Sequence, residues 1–211
     1  MKNTLTILLV LIVTTLTAQD KYTETMLKNI DAVYKAKTVA EHQDAANAFE
    51  RIAAAEKTKW EPHYYVAYSY IMMANLETEG TKKDMYLDLA TKDLDKAKAI
   101  KANDSEITAL EGFIYMIRVT VDPASRGQEY SSKSFRSFST AVALNPENPR
   151  ALALLAQMQY GTAQFFGTST VEACGTVDKS LQKFETYKAE NALAPQWGKQ
   201  MAEGLKSHCK L

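Results

Sequence analysis

The sequence predicts an all-α protein, and three observations predict it. Glycine and proline are sparse, at 8 and 5 residues in 211, while Ala, Leu, Lys, Glu and Met are plentiful, which favours helix throughout. Apolar and polar residues do not alternate with period two for more than a few positions, so no strand is legible. Landmark residues recur about every 45 positions, as they do in stacked helix pairs.

Start and stop signals divide the chain into about nine helices. The first is expected over 22–36. The second, 39–56, opens on Thr38-Val-Ala-Glu41, a capping box in which Thr and Glu each satisfy an orphan N–H. The third, 61–78, begins with the aromatic stretch WEPHYYVAYSYIMMA at 60–74. The fourth, 82–101, follows the break at Gly80-Thr81, and the fifth, 104–120, follows a second capping pattern, Asn103-Asp-Ser-Glu106. The sixth, 129–144, follows breaks at Asp122-Pro123 and Gly127. The seventh, 149–164, opens on Asn148-Pro149, an N-cap followed by proline where its missing N–H costs nothing. The eighth, 176–191, follows Gly175-Thr176, and the ninth, 195–208, closes the chain.

The repeat is visible in four columns. Phe49, Leu94, Phe138 and Phe184 stand 45, 44 and 46 residues apart, each in an even-numbered helix. Ala67, Gly112 and Ala156 recur in the odd-numbered helices, with Tyr70, Tyr115 and Gln159-Tyr160 three or four residues on. Ala45, Ala90 and Ser134 lie four residues before the large residues. Small residues let paired helices approach, and large ones fill the space beside them. One such pair cannot bury its apolar face alone, so neighbours must stack.

The stretch SFRSFSTAVALNPENPRALALLAQMQY resembles the junction of two tetratricopeptide repeats. Ser134, Phe138 and Ala141 match the small–large–small triplet of a second repeat helix, and Pro146 matches its terminating proline. Leu152, Leu155, Ala156 and Gln159-Tyr160 match the next first helix, and Ala90, Leu94, Ala97, Gly112 and Tyr115 repeat the scheme. The resemblance implies a right-handed solenoid of antiparallel helix pairs (TPR-like), with core repeats over about 40–191 and a capping helix at 195–208. The period departs from the usual value of about 34, the terminating prolines are missing at Lys57 and Ala102, and Thr108 replaces a large aromatic. A HEAT or armadillo solenoid has a similar period and is the other reading.

The N-terminus, MKNTLTILLVLIVTTLTAQD, places Lys2 before an apolar run and Ala18 before a polar segment, the layout of a cleavable secretory signal over 1–18. An uncleaved anchor is the alternative. The expected mature chain, 19–211, is one domain, periplasmic or secreted, without stable membrane insertion. The 25 basic and 25 acidic residues of the full chain become 24 and 25 once Lys2 is removed, and they are interspersed, which argues against a nucleic-acid partner. Two cysteines in an exported chain are compatible with a Cys174–Cys209 disulfide, tying the loop around Gly175 to the last helix; two separate buried thiols are the other reading.

No enzymatic motif is present: GxSxG, GxGxxG, GxxxxGK and HExxH are all missing, so the chain reads as a non-enzyme without cofactor. His42, His63 and His208 read as surface histidines. His208, Cys209 and Cys174 fall short of the four ligands a zinc site wants, so no metal is expected.

Binding is the remaining expectation. In a tetratricopeptide array the first helix of each pair lines a concave groove, and Tyr64 and Tyr68 form a stripe at i, i+4 beside the core stripe Val66, Ala67, Tyr70 and Ala74. The period carries that stripe to Phe113 and then to Gln157 and Tyr160, with Arg150 one turn before as a partner for a carboxylate. The expected function is a scaffold that binds a peptide or protein in this groove. The alternative is a small-molecule-binding protein that uses the same aromatic lining.

Overall fold

The computed structural model describes residues 21–209; the expected leader, 1–18, lies outside them. Among the described residues there are nine helices and no strand: α1 (21–35), α2 (Val39–Ala55), α3 (Glu61–Leu76), α4 (Gly80–Ile100), α5 (Ser105–Val121), α6 (Pro123–Leu144), α7 (Pro149–Phe166), α8 (Val171–Thr186) and α9 (Lys199–Ser207). None is long and apolar enough to cross a membrane.

Local chemistry sets most boundaries. Thr38 caps α2 by accepting the Glu41 N–H, while the Glu41 carboxylate accepts the Thr38 N–H. Asn148 caps α7 by accepting from Arg150 and Ala151. Several boundaries differ from the sequence expectation, among them the start of α4 at Gly80 and of α9 at Lys199. Asp104, not Asn103, caps α5, and Asn103 instead takes a left-handed conformation at φ 56°, which asparagine tolerates. Asp122 accepts the Ser125 N–H and Pro123 sits at the first helical position, so what read as a break starts α6 six residues early. Gly175 is absorbed into α8, which ends at Thr186, and residues 187–198 form no helix.

Consecutive helices from α2 to α9 pack on one another, and α3–α5, α5–α7 and α7–α9 also meet. The odd-numbered helices therefore share one layer, and the even-numbered helices flank it. The large residues of the period, Phe49, Leu94 and Phe138, are buried, and Phe184 is partly buried. Each such burial stabilises by about 1.5–3 kcal/mol. Gly112 faces Phe138 so closely that a methyl group there would overlap the ring, and Ser134 Oγ donates to the Gly112 carbonyl at 3.0 Å. This glycine is what allows α5 and α6 to touch. At the other end of the pair, Ser105 Oγ donates to the Ala141 carbonyl and accepts from Asn148 Nδ2, joining α5, α6 and α7.

Helix α3 is apolar on nearly every side, and almost all of it is buried. That is the signature of a central helix rather than a surface one. Both stripes read from its sequence, the core stripe and the Tyr64–Tyr68 stripe, lie in the core. Cys174 and Cys209 form a disulfide, which joins α8, not a loop, to the residue after the last turn of α9.

Candidate functional site

The aromatic face expected to line an open groove is covered by the chain itself. Residues 187–198 run across it between α8 and α9. The Trp197 indole lies at 5.3 Å from the Tyr68 ring and 6.0 Å from Phe113, and its Nε1–H donates to the Tyr64 hydroxyl at 3.0 Å. Tyr65 donates to the Leu193 carbonyl at 2.8 Å, and the Gln196 N–H donates to the Tyr34 hydroxyl at 3.1 Å. Because the single Tyr65 proton goes to Leu193, Tyr34 is the donor in the Tyr34–Tyr65 contact. Burial pushes the Tyr64, Tyr65 and Tyr68 phenols far above their ordinary pKa, so these hydroxyls stay protonated.

Arg150 has no exposed surface. Its Nε and Nη2 donate to the two Glu106 carboxylate oxygens at 2.8 and 2.7 Å, and its guanidinium lies 4.4 Å from the Tyr187 ring centroid. The carboxylate partner expected for Arg150 is thus internal. Tyr64, Tyr68, Phe113 and Arg150 are brought together, but as the floor beneath residues 187–198. The expectation of a peptide held in an open concave groove fails on this geometry, since no backbone can reach that stripe.

Gln157 and Tyr160 have a different setting. They leave α7 on the side facing α9, where with Met201, Gly204, Leu205 and His208 they line a cleft of ≈ 360 Å³. The Tyr160 and His208 rings stand 6.3 Å apart. Met201, Leu205 and His208 follow the i, i+4, i+7 spacing of one helical face, and Gln157 and Tyr160 oppose them at i, i+3. The cleft therefore presents an imidazole, a phenol and a thioether, three Lewis bases, over an apolar base supplied by Leu205. Gly204 has open space where a side chain would stand, which widens the entrance.

The period in the sequence pairs Gln157 with Tyr160 on one face of α7, whereas the α9 half of the cleft carries no such signal. Residues 195–208 read as a capping helix, although Met201 and Leu205 form an apolar stripe in it. The histidines also need correction: His42 is buried, and His63 Nδ1 lies 3.0 Å from Asp93 Oδ1 with little exposure, so only His208 is a surface residue. The disulfide takes up both sulfurs and leaves His208 beside it. A second cleft, of ≈ 510 Å³ between α6, α7 and α8, is lined by hydroxyls, the Gln159 amide, the Glu172 carboxylate and apolar groups, with no imidazole, phenol or thioether.

No family model and no curated protein sequence matches the chain. Among solved structures it is similar to the HusA haemophore from Porphyromonas gingivalis, with 33% sequence identity and a TM-score of 0.80 over 90% of this chain and 92% of that one. This overturns the tetratricopeptide assignment. The helices give the physical reason: α5 and α6, at 17 and 22 residues, already exceed the length of about 34 in such a repeat. The scaffold reading falls with it, because the relative is a haemophore. At this identity and coverage, the chain belongs to the family of the HusA haemophore.

Proposed function

We propose that this protein binds haem in the cleft between α7 and α9 and works outside the cytoplasm. The observation that carries the reading is the convergence of His208, Tyr160 and Met201 on one apolar cleft. Imidazole, phenolate and thioether are the side chains that hold haem iron in proteins, together with thiolate. The only described cysteines are already bridged, which leaves these three. The relative's haemophore title points to the same ligand.

The donor set and the walls fit such a cargo. His208 offers a ring nitrogen from an exposed position, and Tyr160 offers a phenol oxygen from the opposite wall. Met201 and Leu205 offer apolar surface to a macrocycle, with Met201 also a possible sulfur donor. Gln157 supplies an amide at the rim. Ligand sites of this kind combine apolar lining with a few placed polar groups. The Cys174–Cys209 disulfide supports export, because such bonds persist in oxidising compartments.

Haem titration followed by absorbance tests the reading. The wild-type chain should saturate with a shifted Soret band, and His208→Ala combined with Tyr160→Phe should weaken binding by more than about tenfold, or 1.4 kcal/mol. Unchanged affinity in the double variant would remove the cleft assignment, and absence of binding by the wild type would remove the function.

A further inference from the structure

The hairpin between α7 and α8 carries the most exposed large apolar side chains among the described residues. Phe165 and Phe166 end α7 at 75% and 69% exposure, and Val171 opens α8 at 65%, whereas no other large hydrophobic there exceeds 48%. The phenyl rings stand edge to face, with centroids 5.0 Å apart. Backbone bonds fix their setting. Gly167 takes a left-handed conformation at φ 65°, its N–H donates to the Gln164 carbonyl, and the Thr168 N–H donates to the Ala163 carbonyl at 2.9 Å. These bonds close the end of the helix and turn the chain sharply, so both rings are held at the tip. Every residue from Gln164 to Ser169 is exposed, and a side chain added at Gly161, Gly167 or Gly175 would meet open space. The tip therefore stands clear of the rest of the fold.

Charge is missing from it as well. Residues 161–171 contain no charged side chain, although 24% of the chain is charged, and no Lys or Arg occurs between Arg150 and Lys179. The first charge after the tip, Glu172, is drawn back onto α7, where it accepts from Gln159 Nε2 at 2.8 Å. The polar groups beside the rings are neutral: the Gln164 amide and the hydroxyls of Thr168, Ser169 and Thr170. Size narrows the occupant further. Aromatic side chains present about 150–250 Å² each, so Phe165, Phe166 and Val171 together offer roughly 400 Å². A stable protein interface needs about 800 Å² from each partner. A convex tip of half that area is too small for a second copy of the chain, and it lacks the cations that an anionic membrane attracts. It matches the interfacial zone of a bilayer, where phenyl rings reach the acyl boundary and neutral hydroxyls and amides meet the headgroups.

We propose that the α7–α8 tip is a membrane-contact site, which inserts Phe165 and Phe166 into the surface of a bilayer of neutral, zwitterionic lipid. Two rings and one valine give a reversible touch rather than an anchor, because attachment strengthens with the apolar area buried. The rest of the described chain stays in water, since none of its helices is long and apolar enough to cross a membrane. Helix α7 carries the tip at its C-terminal end and Tyr160, a wall of the α7–α9 cleft, about 9 Å of helix earlier. Contact through the tip therefore brings that cleft to the membrane surface, whatever the cleft holds.

The experiment is co-flotation with vesicles of phosphatidylcholine, and with vesicles in which part of that lipid is replaced by phosphatidylglycerol. The chain is used without the expected leader, 1–18, whose apolar run would itself bind lipid. The wild type should bind both vesicles alike, and added salt should change binding by less than about twofold, because the tip makes no ion pair. Phe165→Ser/Phe166→Ser should bind about tenfold more weakly or not at all, since attachment scales with the apolar area buried. Its circular dichroism should be unchanged, because both rings already lie in water. Phe166→Trp should keep binding, and its fluorescence should be quenched by lipid brominated in the acyl chains. Trp60 and Trp197, packed against the core, supply a constant background. The proposal is overturned by no binding of the wild type, by undiminished binding of the double serine variant, or by an unquenched signal from Phe166→Trp. Binding confined to anionic vesicles and lost in salt would place the contact on another surface and overturn it too. So would a dimer, seen by analytical ultracentrifugation, that the double serine variant dissolves, since a second copy would then cover the tip.

Discussion

His42 is a buried imidazole in α2 whose Nδ1 has no hydrogen-bond partner. Burial lowers its pKa below the ordinary value, and the charge of the adjacent Glu41 offsets this only in part. The folded chain thus takes up a proton at lower pH than the unfolded chain does. Stability is then full above the unfolded pKa of about 6.5 and is lost as pH falls from there through the folded value. His42→Leu should remove that loss, and urea midpoints at pH 7 and pH 5 should lie closer together than in the wild type. A wider gap in the variant would contradict it. Arg150 shows the opposite solution to burial, with a bidentate carboxylate and a ring face around its guanidinium. A buried pair of this kind is costly to break from one side and adds little net stability when intact. The pair joins α5 to α7 beneath residues 187–198. Residue type alone marked Arg150 as a carboxylate binder; which carboxylate depends on Glu106, 44 positions away.

At the scale of elements, residues 187–198 decide what the aromatic face does. This stretch has no helix, yet Leu193, Ala194 and Pro195 are buried in it and Trp197 is half-buried. Trp197→Ala should uncover Tyr64, Tyr68 and Phe113, lowering stability by about 3 kcal/mol, toward the low end for aromatic truncation. Denaturant unfolding should show the loss, and binding of a hydrophobic dye should rise. An unchanged midpoint would mean that the covering contributes nothing. The helices themselves were legible in sequence because their signals are local: the Thr38–Glu41 capping box, the Asn148-Pro149 start and the period of small and large residues all act within one turn or one helix pair. The errors fell where a signal has two meanings. Asp122-Pro123 reads equally as a break or as cap plus first residue, and Gly175 reads as a stop although α8 passes through it. Residues 187–191 and 195–198 read as parts of the eighth and ninth helices, because the role of this segment depends on partners up to 162 residues away. Tyr64 and Tyr68 carry the chemistry of a contact surface, and nothing in their neighbourhood announces that Trp197 will occupy it.

For the whole molecule, half of the candidate cleft is legible in the sequence. Gln157 and Tyr160 could be placed by period, whereas His208 enters only because the disulfide and the packing of α9 bring the last turn to α7. The same return of the chain changes how it folds. In a simple stack of repeats each unit touches only its neighbours, so the array can fray from either end. Here Leu193 and Gln196 meet Tyr65 and Tyr34, so the last part of the chain is bonded to the first described helices. Contacts of such long sequence separation slow folding, because the intervening chain must be closed before they form. They also couple the two ends. Amide hydrogen exchange should find α1 protected to nearly the same degree as α9, and removal of residues 187–209 should expose α1 amides far from the cut. Fraying of α1 independent of that deletion would show that the ends unfold separately. A chain written as successive repeats would then melt not as an array but as a single closed unit, with its first described helix guarded by its last turns.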